Sequence, residues 1–457
     1  MMRSMISPLA TPLQRLQTFR QNLLSIFPLR RDALFELIDA LLLAHDPRSP
    51  QELALSPAFR RRWGMVHDAL CHGQLAPALG RELLAEAEPP DALTLGSCAV
   101  YGLYGLDSTI AARPQADTLA ARGHVYSTCA EKAVVGHQYS WLGRMVRRAP
   151  AWLGPRDVER VPPSSTPAVT AAAPVARFAA PVVLATVGSV IVADRGYAKV
   201  AFLSVFVGLP NICVLVRLAS NRVLYGAPVL EERHPVTGKR TKRGRPPVHG
   251  AKFCLKDPPR PQQQAQATLG GTTARLSAWT RLHFKGLPRL EGVVLRVEFL
   301  KADGTPKYRR SVWLFWGGPS TMALEVIVQM YLARYGIEHF FRFAKQRLGL
   351  LCAQTPTLAA SETWVWLVAL AYTQLLLARA LVSPAWRPWD TKPRGRANPP
   401  LTSGQVLNGW ASFSRTLGTP AAAPRLSGKG TGRQVGDRPA PRPKWPVISK
   451  QAMAAAA

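Results

Sequence analysis

From Leu13 to about Glu88 the apolar residues recur three and four apart, as in LFELIDALLLAHD and AFRRRWGMVHDALC. That is the period of amphipathic helices, and it predicts a helical domain over residues 1–92. From Leu93 the texture changes to short apolar runs rich in Val, Tyr and Leu, each closed by a polar residue or turn signal. AVYGLYGLD ends at Asp107, VVGHQYSWLGRMV follows, and PVVLATVGSVIVAD ends at Asp194. GYAKVAFLSVFVGL then has helical spacing and NICVLVRL is apolar throughout, so residues 93–218 carry the strand, helix, strand grammar of an α/β sheet. VPPSSTPAVTAAAPVARFAAP, between the two aspartates, is rich in Pro, Ala and Ser and reads as a linker.

Residues 219–320 turn irregular and then alternate, as in GVVLRVEFL and SVWLFW, with DGT in KADGTPKY as the turn between them. This predicts a β-rich insertion. Helical spacing returns over residues 321–385. Trp364 to Val382 is apolar, but Gln374 and Arg379 lie within it, which favours a buried helix over a membrane span. From Trp386 onward the tail is rich in Pro and Gly, with twelve Lys or Arg against two Asp, and is expected to be extended on DNA or disordered.

Charge sharpens the picture. Across 457 residues, 58 Lys and Arg oppose 27 Asp and Glu, a net +31, so the surface attracts a polyanion and nucleic acid is the first partner to expect. Cys71, Cys98, Cys129, Cys213, Cys254 and Cys352 are scattered singly, which implies neither a zinc site nor a disulfide framework. No secretory signal opens the chain, and a reducing cytoplasm is expected. The segment around Phe59 to Leu70, with Arg60, Arg61 and Arg62, fits either the second helix of a helix-turn-helix or a plain bundle with a basic face.

The strongest signal is YLARYGIEHFFRFAKQRLGL, where Tyr331, Arg334, Glu338 and Lys345 stand at offsets 0, 3, 7 and 14. On one continuous helix these four fall within roughly 60° of each other, beside an apolar stripe. An ordinary solvated helix face also carries such charges.

The spacing Tyr-x2-Arg-x3-Glu-x6-Lys resembles the signature of bacterial insertion-sequence transposases of the DDE type. LDST, VVGHQYSWL, ADRGYAKVAFL, LVRLASNRVLY, KRGRPPVHG and LGTPAAAPRLSGKGTGR resemble segments of such enzymes in the same order. The resemblance implies a ribonuclease-H-like α/β catalytic domain, split into residues 93–218 and 321–385 by the β-rich insertion, with a basic, largely irregular tail over 386–457. It implies Asp107, Asp194 and Glu338 as catalytic carboxylates holding two Mg2+ ions, for which Mn2+ can substitute, and Tyr331, Arg334 and Lys345 as DNA contacts. The implied partners are double-stranded DNA, as terminal repeats and target, and a second copy when two ends are paired. No membrane is expected.

Each residue has a plainer reading. Asp194 could cap the helix that follows it, Asp117 competes with Asp107, and Glu325 is a second acid near Glu338 outside the signature. Arg243 and Arg245, in KRTKRGRPPVHG, fit a DNA-contacting loop or a solvated charge run. Trp313 and Trp316 could stack on a displaced base, but alternate strand positions usually feed a core. His137, Gln138 and Tyr139 look like strand packing. The Pro-rich composition of residues 161–180 and Gly336 at the start of the Glu338 helix depart from the resembling enzymes, and raise the prospect of a degraded copy. A DNA-binding derivative without turnover and a nuclease that cuts without joining are the rival readings.

Overall fold

In a computed structural model the chain divides into two compact units: Met1–Ala92, Ser108–Thr166 and Gly336–Ala457 form the first, and Leu93–Asp107 and Pro167–Tyr335 the second. The structure describes residues 10–449 except 45, 90–100, 128–130, 149, 183–187, 210, 229–246, 384–399, 426–433, 435, 437 and 439, and leaves out the side chains of 147, 148 and 180–182. Elements are numbered along the chain.

The first unit opens with helices α1 (Pro12–Leu23), α2 (Arg31–Leu43), α3 (Gly64–His72) and α4 (Pro77–Glu86). A capping box between Thr11 and Gln14, with Pro12 in the first turn, starts α1 and satisfies donors that the helix leaves over. The predicted basic helix starts later than Phe59. Arg60 and Arg61 precede it, and both pair with Glu36 of α2, whose side chain is 1% exposed, at 2.7 and 3.1 Å. Both also donate to the carbonyl of Ala422, and Arg60 to that of Ala421. A buried carboxylate must be paired, so Arg60 and Arg61 serve the fold, although Arg60, like Arg62, remains partly open to solvent.

In the same unit the Ser108–Ala112 half of strand β1 (Tyr101–Ala112) neighbours β3 (Lys132–Arg148). Strand β3 pairs antiparallel with β2 (Gly123–Ser127) and β4 (Ala151–Val161). Helices α9 (Tyr335–Gln346), α10 (Leu358–Ala378) and α11 (Ser403–Leu417) complete the unit. From Thr363 to Ala378 every residue of α10 is buried, as expected for a core helix, and Arg20 forks onto Asp39 while also donating to its Gln374. Among the described residues no helix is long and apolar enough to cross a membrane.

The tail is more ordered than expected. A capping box from Thr402 to Gln405 starts α11, which buries Val406, Leu407 and Trp410 and packs on α10 and α2. Further on, Ile448 donates its amide to the Arg122 carbonyl and bridges Gly123 at the start of β2. Buried Arg122 in turn donates to the carbonyls of Arg113, Pro114 and Trp445.

The second unit is built on a mixed sheet. The Tyr101–Leu106 half of β1, β5 (Gly188–Ala193) and β6 (Ile212–Leu218) run parallel. Beyond β6 come, all antiparallel, β12 (Val312–Gly317), β11 (Leu287–Phe299), β10 (Thr272–Phe284), β7 (Val223–Gly226) and β8 (Lys252–Cys254), with β9 (Gln263–Leu269) on β10. Buried on both faces, β5 and β6 read as continuous apolar runs, as parallel strands do. The antiparallel part carries an aromatic core: Trp279 meets Trp313 at 5.5 Å, Phe284 meets Phe315 at 5.0 Å, and Trp316 is fully buried.

Helices α5 (Pro167–Thr170), α6 (Ala172–Val182), α7 (Val200–Leu203) and α8 (Leu324–Ala333) belong to this unit. The expected linker is therefore largely helical. Alanine has the highest helix propensity, and Pro167 and Pro174 fall in first turns, where a missing N–H costs nothing. Helix α6 buries Val175 and Phe178, whose ring meets Tyr104 of β1 at 4.4 Å.

Candidate active site

The site is set by strand register. Leu106 of β1 pairs with Ala193 of β5, and Ala193 with Val216 of β6. The next residues are Asp107 in β1, Asp194 just past the end of β5, and Arg217 in β6, which the same register, continued by one residue, sets side by side. Residues in register on parallel strands share a face, and strands lie about 4.8 Å apart, so continued register turns the three side chains to one side of the sheet. This is the carboxyl end of β5 and β6, where α/β sheets bind ligands.

Helix α8 packs on β5 and β6 and brings two more residues to this row. Arg334, at the C-cap of α8, donates from Nη1 to Oδ2 of Asp107 at 3.1 Å, and its guanidinium lies 5.7 Å from the Tyr331 ring centre. Arg217 lies near enough to the Tyr331 side chain for its charge to act on it. Burial raises the Tyr331 pKa, and the Asp194 charge adds to this, against the opposing effects of Arg334 and Arg217. The hydroxyl is therefore held protonated between an acid and two cations.

Asp194 carries the most informative atom. It occupies the N-cap position of a short 3-10 turn, Arg195–Tyr197, yet its side chain makes no capping hydrogen bond. Its Oδ1 is buried and has no hydrogen-bond partner among the described residues. A buried acceptor left unmade costs about 1–3 kcal/mol. The capping role therefore fails, and a carboxylate oxygen beside a second carboxylate is a fitting donor set for a hard divalent cation. Among the described residues no three His, Cys, Asp or Glu side chains gather into a group that could hold a metal ion.

Tyr331, Arg334, Asp107 and Asp194 thus meet within the second unit. Glu338 and Lys345 belong to α9 and to the first unit. The single helix expected from the signature is interrupted at Arg334, between α8 and α9. Gly336 sits at this break, where an added Cβ would meet Met145 Sδ at 3.2 Å. Arg243 and Arg245 lie outside the described residues. Of the rivals, Asp117 pairs with Arg122 at 3.2 Å, and exposed Glu325 accepts from Gln329 one turn on. Trp313 and Trp316 are buried, and Trp316 donates to the Pro319 carbonyl, which favours the packing reading. His137 is buried too, with Nε2 facing the Ala120 carbonyl, and Gln138 donates to Ser108.

Arg217 is the residue that the sequence pattern did not single out. Its only signal was a cation inside the otherwise apolar run VLVRL, and its place beside Asp194 follows from pairing, which composition does not encode.

A family model described as DDE superfamily endonuclease matches residues 22–285, more than half of the chain. The chain belongs to that family, whose members are nucleases or transposases acting on DNA with divalent metal ions. The matched span includes Asp107, Asp194 and Arg217 and ends before Glu338. No curated protein matches the chain.

Proposed function

We propose that this chain is a transposase: it cuts DNA at the ends of a mobile element and joins the freed 3′-hydroxyl to target DNA. The observation that carries this reading is the register that, continued by one residue, sets Asp107 beside Asp194, with one buried oxygen of Asp194 lacking a partner among the described residues. Within the second unit the parallel strands β1, β5 and β6 fit part of a ribonuclease-H-like core, with the antiparallel strands β7 to β12 inserted between β6 and α8.

Asp107 and Asp194 would hold the metal ions, with Glu338 as the third carboxylate on the strength of its signature alone. When bound, two Mg2+ ions supply the charge that activates the attacking oxygen and stabilises the leaving one. Arg217 and Tyr331 then face the phosphate that enters beside Asp194. Arg334, which donates to Asp107, would transfer its donors to an incoming phosphate, which a guanidinium grips with two parallel hydrogen bonds. Lys345, Arg243 and Arg245 would add phosphate contacts, and a homodimer would pair two ends.

Incubating end-containing duplex with target DNA and Mg2+ tests this. Cut and joined products are expected from the wild type and neither from Asp194→Asn, which should still shift DNA in a gel. Cuts without joining would make the protein a nuclease, and binding without cuts an inactive derivative.

A further inference from the structure

Between β11 and β12 the chain forms a finger over residues 301–310, every one of them exposed. It carries Lys301, Lys307, Arg309 and Arg310, and among the described residues no carboxylate pairs with any of the four. Its one acid, Asp303, is engaged locally, accepting from the Thr305 amide at 2.8 Å and the Thr305 hydroxyl at 2.6 Å. Gly304, at φ 78°, and two backbone hydrogen bonds between Lys301 and the Thr305 and Gly304 backbone close the turn. Tyr308 is 58% exposed, standing edge-on to Phe299 at 6.0 Å with the Lys307 ammonium 5.9 Å from its ring centre. The segment is thus a shaped loop with a net charge of three and a half-open aromatic, not a loose run of lysines.

Its place in the sheet gives it a role. Strand β12 is antiparallel to β6, with Trp313 opposite Leu218 and Leu314 opposite Arg217. The finger therefore leaves the sheet at the carboxyl end of β6, the same end as Asp107 and Asp194. Arg310 precedes Leu314 by four residues, and Leu314 lies two strands from Asp194. With about 4.8 Å between strands and about 3.3 Å per residue, the Arg310 backbone is within roughly 16 Å of the Asp194 position. At 3.4 Å of duplex per base pair, that distance is about four or five base pairs along DNA.

We propose that this finger is a second DNA-contact surface, which grips the backbone of duplex about four or five base pairs from the scissile phosphate through Arg309, Arg310 and Lys307. The proposal rests on the DNA-processing reading of the Asp107–Asp194 site, and its test separates the two. Full-length protein is titrated with duplex of arbitrary sequence over a range of salt, as wild type, Arg309→Ala/Arg310→Ala and Arg309→Lys/Arg310→Lys. The alanine pair should make the slope of log affinity against log salt shallower by roughly two, and the lysine pair should restore it. Cleavage by the alanine pair at saturating DNA should match wild type, since neither arginine belongs to the catalytic row.

In end-containing duplex, neutral methylphosphonates about four or five base pairs from the cut should weaken wild-type binding and leave the alanine pair unaffected. An unchanged salt slope in the alanine pair, or one altered only on single-stranded DNA, overturns the finger whatever the cleavage result. A slope shallower by about two together with absent wild-type cleavage would keep the finger and sink the catalytic reading.

Discussion

The ion pair between Arg334 and Asp107 is the contact whose worth can be worked out most fully. Nη1 and Oδ2 are 3.1 Å apart, and the two side chains are 11% and 24% exposed. Two unit charges about 4 Å apart at an effective dielectric of about 20 attract by about 4 kcal/mol. Desolvation and lost rotamer freedom take back part of this. Fully exposed pairs retain about 0.2–1 kcal/mol, and breaking a fully buried one costs about 3–5 kcal/mol. This half-sheltered pair should therefore couple by about 1–2 kcal/mol. The assay is a double-mutant cycle of urea unfolding with Arg334→Gln, Asp107→Asn and the double variant, in metal-free buffer. Arg334→Gln should also shift the Mg2+ dependence of thermal stability to lower concentration, because a cation that competes for Asp107 has gone. Additive single variants, or a Mg2+ response that moves to higher concentration, would refute the assignment of Arg334 as the resident counter-ion of Asp107.

Three further outcomes follow from the packing and the charges. Arg60→Ala should destabilise the protein by about 2 kcal/mol, since it removes one of two cations from buried Glu36, while leaving the salt slope of DNA binding unchanged; a shallower slope would return Arg60 to the DNA surface. Trp316→Ala should cost about 3–5 kcal/mol in chemical denaturation, and a loss of DNA affinity without loss of stability would revive the stacking role. Burial, with the Arg160, Arg113 and Arg122 charges adding to it, pushes the His137 pKa down to about 4 against the Ala120 carbonyl bond, so between the ordinary value near 6.5 and about 4 the unfolded chain binds the extra proton. Stability from this group is complete above about pH 6.5 and falls by up to about 3 kcal/mol as pH drops to about 4. The difference between wild type and His137→Gln, measured by unfolding across that range, should flatten only if another group carries the acid loss.

What the sequence made legible was the pattern that burial imposes. Strands β5 and β6 stood out as uninterrupted apolar runs because parallel strands are covered on both faces, and α10 as a helix without a polar side because every face of it is packed. Asp107 and Asp194 were visible as the acids that end such runs. Their adjacency was not, because a single-residue slip in pairing would turn one of them to the opposite face, and nothing within either strand fixes the register alone. The same gap hid Arg217.

Elsewhere local signals pointed the wrong way. The prolines of residues 161–180 suggested a linker, yet their effect depends on where each falls in a turn, and Pro167 and Pro174 fall where a helix tolerates them. Arg60 and Arg61 fitted a DNA-reading helix and a solvated basic face equally well until Glu36, 24 and 25 residues earlier, claimed both. Charge sign alone therefore does not separate a cation that faces DNA from one that satisfies a buried acid. The separation lies in whether a carboxylate has already been supplied, and by that measure Arg60 and Arg61 are taken, Arg334 is engaged by Asp107, and Arg309 and Arg310 still present their charge outward.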